Sequence, residues 1–383
     1  MKAFISITTL FFALLSTGCL GSKNSSVAPN LAFAYIVGTG DNSIHALNEK
    51  STGELQSATL SAFSTNPRPV AMVLHPSKNF IYVANQTAGT VSGYSLDHTT
   101  GILTPIGTAL PPTPVCASAS VCSNPISLAV NSAGTFLFVL NQGAVPPATA
   151  APATISVFGI DTTKGLLSPV AGSPFSFASL VAPNPQFLSI APNGNTLYVA
   201  NGSSGTISAL AIAANGTPTE IAGSPFTAGA FMAGMAIDSK GQFLYTTDTN
   251  SNKVASFGIQ ASGALAPVAG SPFATDLGPV AVTLDSAGST LFCANAAGET
   301  VSVFKTASGA LTPVAGSPFS LVASGNPQPS FVVVDPSNTF LYVANQGTRN
   351  ISGFTIHSDG TLSPLPTSPF VQTIGPQRIL ITP

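Results

Sequence analysis

Charge is what this chain has least of. Only 6% of its 383 residues are Asp, Glu, Lys or Arg, against roughly 25% in an ordinary domain. The formal net charge of -2 offers no electrostatic grip on nucleic acid. Long apolar runs are missing as well. Although 44% of the residues are hydrophobic, past the N-terminus Gly, Pro, Ser, Thr and Asn interrupt every run before the roughly 18 residues a membrane helix needs. The surface must be wetted mainly by hydroxyls and amides. No segment sustains a helical period. There is no Gly-rich phosphate loop opening a helix, no Gly-x-Ser-x-Gly elbow and no metal-spaced His/Cys set, so no metal or cofactor is expected.

The N-terminus reads as an export signal. Met1-Lys2 supplies a positive start, and residues 4–15 form a short apolar run. Ser16-Thr17-Gly18-Cys19 then resembles a lipoprotein cleavage box. On that reading residues 1–18 are removed, Cys19 becomes the lipidated N-terminus, and residues 19–29 tether the protein to the cell envelope. Contact with the membrane is then through the lipid alone. Simple secretion, with Cys19 inside the signal, is the alternative. Cys116 and Cys122 share a Ser/Ala/Pro loop and read either as a disulfide, suited to an oxidising compartment, or as two free thiols. The loop has no His or acidic residue to complete a metal site. Cys293 falls in the strand pattern Thr290-Leu291-Phe292-Cys293-Ala294-Asn295 and reads as a small buried hydrophobe.

What the chain does have is repetition. Ala171-Gly172-Ser173-Pro174-Phe175 returns at Ala222, Ala269 and Ala315, and in altered form as Thr367-Ser368-Pro369-Phe370. A period near fifty residues marks a repeat architecture. Each repeat opens on Asn-Pro or Gly-Pro and an apolar run, turns, and continues as an aromatic strand ending in Asn. A Gly-Thr turn leads to an alternating strand, and a Thr-Gly or Ser-Gly turn to a last strand closing on Gly-Ser-Pro-Phe. Period-2 alternation with β-branched and aromatic residues argues strand throughout. The aromatic strand occurs at 33–38, 80–85, 136–141, 196–201, 243–248, 290–295 and 340–345. Four strands per repeat, seven times, predict an all-β, seven-bladed propeller of four-stranded antiparallel blades over residues 30–383. The first copy lacks its opening strand, and Gly375-Pro376-Gln377-Arg378-Ile379-Leu380-Ile381 repeats that opening run. The C-terminal strand is therefore expected to complete blade one and pin the ring. A ring leaves only short, protected strand edges. Insertions at 107–123 and 144–153 fall on the face carrying the blade-to-blade links, called the top here, where binding loops are expected.

Few residues could carry chemistry. Blade position puts His75, His98 and His357 in bottom turns and His45 in the third strand of blade one, so no His is expected at the top mouth. Asp238, Asp285 and Asp335 share the His75 column and read as turn caps. The three arginines, Arg68, Arg349 and Arg378, all map to the top of adjacent blades seven, one and two, with Gln377 beside Arg378 and Asp41 among them. Clustered guanidiniums suit a carboxylate or phosphate. The simpler account is three separate surface arginines, one pairing Asp41. Asn85, Asn141, Asn201, Asn295 and Asn345 form a ring that either reads sugar hydroxyls or bonds the turns that follow. The Ser-Pro-Phe repeats read as structural, with the Phe packing between blades.

Strands such as Tyr82-Val83-Ala84-Asn85 and turns such as Thr99-Thr100-Gly101-Ile102-Leu103-Thr104-Pro105 resemble the seven-bladed lactonase family of 6-phosphogluconolactonase-like propellers, over about residues 30–383. The resemblance implies the propeller fold and either lactone hydrolysis or binding, since related propellers serve both uses. That family often carries Gly-Pro-Arg-His where a blade's first strand begins. Of the matching stretches here only Pro376-Gln377-Arg378 has the Arg, and none has the His. Two expectations follow. In the first, the protein is an exported, envelope-anchored and monomeric binding or scaffold protein. Its top face takes a small anionic or carbohydrate ligand, or an envelope protein. In the second, it hydrolyses an acidic sugar lactone held by Arg68, Arg349 and Arg378, with Asp41 directing water. Neighbouring arginines would lower the Asp41 pKa, which weakens it as a base.

Overall fold

Each aromatic run becomes the second strand of a sheet because both its faces are covered. In Phe80–Asn85 and Phe340–Asn345 every residue is buried. The computed structural model describes residues 32–106, 113–114, 124–143, 152–180, 184–321 and 325–383. They form seven antiparallel sheets. From channel to rim, blade two runs Pro69–Leu74, Phe80–Asn85, Thr90–Leu96 and Leu103–Pro105. Blade one borrows its inner strand from the far end of the chain. Gly375–Thr382 pairs antiparallel with Ala32–Thr39, from Phe33 opposite Thr382 to Val37 opposite Arg378. The inner strands touch in sequence round the channel, and the closing strand sits between Pro329–Val334 of blade seven and Pro69–Leu74 of blade two.

The core is divided into seven apolar clusters, one at each blade interface. Between blades one and two, for example, Phe33, Tyr35 and Val37 meet Ile81, Val83 and Tyr94. Hydroxyls fasten these interfaces in one direction. Tyr35, Tyr82, Tyr198 and Tyr342 each donate to the carbonyl of a turn glycine in the next blade: Gly101 at 2.7 Å, Gly165 at 2.9 Å, Gly263 at 2.8 Å and Gly53 at 2.8 Å. The last of these joins blade seven to blade one. Each such bond contributes on the order of 1 kcal/mol. Gly101 is required at its turn, since its φ is +71° and a Cβ there would lie 2.4 Å from the Phe33 ring. Tyr245 of blade five has no matching latch. The blade-six turn from Phe304 to Leu311 is one residue shorter than that from Phe257 to Leu265, and Ser256 takes the Gly309 carbonyl instead, at 2.7 Å. A groove of about 750 Å³ opens there, walled partly by Tyr245, Thr306 and Ser308.

The outer strand is in two pieces in the repeats that carry Ser-Pro-Phe, where the sequence suggested one. In blade four Pro218–Glu220 and Phe226–Thr227 pair separately with Thr206–Ile212. Between the pieces the repeat serine bridges the gap by side chain. Ser173, Ser224, Ser271, Ser317 and Ser368 accept the N–H of Val157, Ala209, Ser256, Val303 and Gly353 at 2.8–3.0 Å. The phenylalanines that follow, including Phe226, Phe319 and Phe370, pack into the cluster shared with the next blade. Blade one has no Ser-Pro-Phe and keeps a single outer strand, Leu55–Ser64. Cys293 is fully buried, and burial pushes its thiol up. Cys19, Cys116 and Cys122, and most of both insertions, lie outside the described residues. Among the described residues no helix is long and apolar enough to cross a membrane.

Candidate functional site

Arg378 is delivered to the channel by a β-bulge. Pairing with blade one's second strand shifts between Val37 and Gly38, leaving Gln377 as the extra residue. The same irregularity follows the opening proline in blades two, three, four, six and seven. At the position of Arg378 the other blades carry Ala71, Ser127, Phe187, Gly234, Ala281 and Phe331. The small side chains leave room, and the two aromatic ones supply walls. The Arg378 Cζ lies 5.0 Å from the Phe331 ring centre in blade seven and 5.8 Å from Phe187 in blade four, across the channel. Both distances suit cation–π attraction.

Among the described residues this guanidinium makes one hydrogen bond, to the Gln377 carbonyl at 3.0 Å. No carboxylate among the described residues lies within ion-pair distance of it. The side chain keeps some solvent exposure, but the guanidinium end is enclosed enough that burial pulls its pKa down to about 10. It is still cationic at neutral pH. Beside it is a cavity of about 20 Å³, room for roughly one water. Phe187, Met235, Val282 and Phe331 line both this cavity and a larger space of about 460 Å³ in the channel below.

The other two arginines stay on the surface. Arg68 and Arg349 are exposed turn residues with φ of 57° and 51°. The Arg68 N–H donates to the Asn42 side chain at 3.1 Å, and the Arg349 carbonyl accepts from the Gln372 N–H at 2.8 Å. Asp41 meets His45 rather than an arginine, Oδ2 to Nε2 at 2.8 Å, the only contact between an acidic and a basic side chain at this range among the described residues. Ser43 Oγ lies 3.2 Å from the same nitrogen. Partial burial pushes the Asp41 carboxyl up, but hydrogen bonds from Ser43 and His45 outweigh it and hold the pKa below the usual range. Ser43, His45 and Asp41 do not form a catalytic triad, because a triad histidine uses one ring nitrogen for the nucleophile and the other for its orienting acid. Here both partners fall on Nε2. Ser43 and His45 lie on one side of the strand Ser43–Glu49, and Asp41 reaches them from the turn that precedes it.

The amide ring is internal. Asn85, Asn141, Asn201, Asn295 and Asn345 are fully buried. Each donates to side chains at the start of the third strand, as Asn295 does to Thr300 at 3.0 Å and Ser302 at 2.9 Å. These amides hold their own blades together and are closed to a ligand. Asp248 caps the N–H groups of Ala230 and Phe231. His75 joins blades two and three by contacting the Gly134 carbonyl at 2.8 Å. Asp238, Asp285 and Asp335 cap their turns.

The family described as "Lactonase, 7-bladed beta-propeller" matches residues 24–119, 148–270 and 217–321. No curated protein matches the chain. Among solved structures, the Pseudomonas aeruginosa periplasmic gluconolactonase aligns at 19% identity with a TM-score of 0.75, covering 92% of this chain and 99% of that one. A putative 6-phosphogluconolactonase from Bacteroides fragilis aligns at 21% identity and TM-score 0.74, covering 94% and 99%. One from Bacteroides uniformis aligns at 18% and 0.73, covering 92% and 99%. At these identities the likeness is one of fold.

Proposed function

The chain belongs to the seven-bladed β-propeller lactonase family, and from that membership and its channel we propose that it is a binding protein that captures a small organic anion on Arg378. The observation that carries this reading is a channel guanidinium braced by Phe187 and Phe331 with no acidic partner among the described residues. An enclosed cation without a counter-ion is costly, and a bound carboxylate would supply one in the bidentate geometry a guanidinium favours. The described histidines other than His45 belong to bottom turns, and His45 is tied to Asp41. A general base must reach the proton it removes, so this channel is better suited to holding an anion than to hydrolysing an ester. A monomer, exported and lipid-anchored through Cys19 or simply secreted, is part of the same proposal. It rests on the N-terminal sequence alone, and a mass shift abolished by Cys19→Ser would support the lipid.

Family membership and the lactonases among the aligned structures favour a second reading, hydrolysis of an acidic sugar lactone. Asp41 is a weak base for it, with its pKa held low by Ser43 and His45. Calorimetric titration with acetate, benzoate, octanoate and D-gluconate, alongside hydrolysis of D-glucono-δ-lactone, separates the two. The first reading expects carboxylate binding that Arg378→Met abolishes and no turnover above the spontaneous rate. Lactone turnover lost in Asp41→Asn, with no Arg378-dependent binding, would replace it with the second.

A further inference from the structure

The space beneath Arg378 restricts what such an anion can be. Its walls are largely aliphatic, with Val73, Ala129, Ala236, Leu284 and Val333 contributed by five different blades. Ser189, Ser239 and Thr283 are the hydroxyl side chains along it, and Asp285 stands at the bottom, its carboxylate accepting the Ser289 N–H at 2.7 Å and the Ser289 hydroxyl at 2.6 Å. A sugar acid would find few side-chain partners there for its hydroxyls, whereas a hydrocarbon would be covered by the aliphatic walls. A second carboxylate at the lower end would meet Asp285 and be repelled. From the level of Arg378 to the bottom of the inner strands is about four residues, or ~13 Å at 3.3 Å per residue, the reach of a medium-length alkyl chain.

Resting on the reading of Arg378 as an anion site, we propose that the ligand is an apolar monocarboxylic acid of medium chain length. Its carboxylate meets Arg378 between Phe187 and Phe331, and its hydrocarbon body fills the lower channel. Phe187, Met235, Val282 and Phe331 are walls that the small cavity and the larger space share, and the acid would pass between them to reach Arg378. Entry is from the bottom face.

The test is titration of the full propeller with butanoate, hexanoate, octanoate and decanoate, with D-gluconate and 1-octanol as controls. Affinity should climb about threefold or more per added methylene, then level off once the chain reaches the mouth. Octanoate should bind at least tenfold more tightly than D-gluconate or 1-octanol. Arg378→Met should reduce octanoate binding at least tenfold, with Arg378→Lys intermediate. Ala129→Leu or Ala236→Leu should weaken octanoate more than butanoate, each variant first being shown to melt like the parent. A flat series still lost in Arg378→Met would overturn the apolar ligand and leave the anion site standing. A climbing series that 1-octanol shares and Arg378→Met does not change would remove Arg378 from the site, and this proposal with it. No binding of any acid would overturn both.

Discussion

Replacing Glu49 with Gln should make the protein more stable above neutral pH and leave it unchanged in acid. Glu49 ends the third strand of blade one, is 1% exposed, and meets the Tyr342 hydroxyl of blade seven at 2.7 Å. The same hydroxyl is 2.8 Å from the Gly53 carbonyl, and one O–H cannot fully serve two acceptors. A protonated Glu49 resolves this by donating to Tyr342, which then donates to Gly53. Burial accordingly pushes the Glu49 carboxyl from 4.5 to about 7, with the Tyr342 hydrogen bond opposing the rise and Asp335 adding to it. In the unfolded chain this group loses its proton near 4.5, while in the folded ring it keeps the proton until about 7. The stability it contributes is complete below the lower value, declines as pH rises through that window, and is gone above it. At about 1.4 kcal/mol per pH unit, the loss is about 3 kcal/mol, or a few degrees in melting temperature for a chain of this size. The amide that Glu49→Gln introduces has the same shape as the protonated carboxyl, can donate to Tyr342 and does not titrate. Thermal melts of both proteins from pH 4 to 8.5 should coincide in acid and diverge toward high pH, with the Glu49→Gln variant higher. Parallel curves across the whole range would refute the assignment of a protonated Glu49.

Three further outcomes are expected. Gly101→Ala forces a Cβ into the Phe33 ring at a φ of +71° and should cost about 3 kcal/mol in urea unfolding, from left-handed strain and overpacking together. Ser317→Ala leaves the Val303 N–H without its acceptor and should cost about 1–2 kcal/mol in the same assay. Arg378→Met removes an unpaired cation from an enclosed site and keeps much of its bulk, so its melting temperature should equal or exceed that of the parent. A clear drop would mean that the cation–π contacts hold the channel together.

The repeat carried the fold into plain view. Seven aromatic runs, each buried on both faces, could only be second strands, and the run from Gly375 could only complete the blade that lacked its first. The site was less legible because what matters there is direction. Arg378 reaches the channel interior through a bulge at Gln377, an offset that recurs after the opening prolines but turns a side chain inward only once the strands have paired, whereas Arg68 and Arg349 sit on turns whose left-handed backbone leaves them exposed. The pairing of Asp41 with His45 depends on how the turn before Ser43–Glu49 folds back on that strand, and the sequence pointed to an arginine instead. The tyrosine latches were not legible either, because a donor in one blade and a carbonyl in the next are joined by a register set only when the blades pack. Nor was the break in the outer strand, where a serine side chain takes over a bond that backbone usually supplies.

The strand that seals the ring also carries Arg378, so closure and counter-ion are delivered together. A chain stripped of residues 375–383 forfeits the inner strand of blade one and its channel cation in the same cut. Under the proposed binding, occupancy and completeness would be coupled: a ligand held by Arg378 would also hold the zipper, resisting its peeling by a free energy that grows with the logarithm of ligand concentration. Only a closed ring would then take the ligand, and a filled ring would be harder to unfasten.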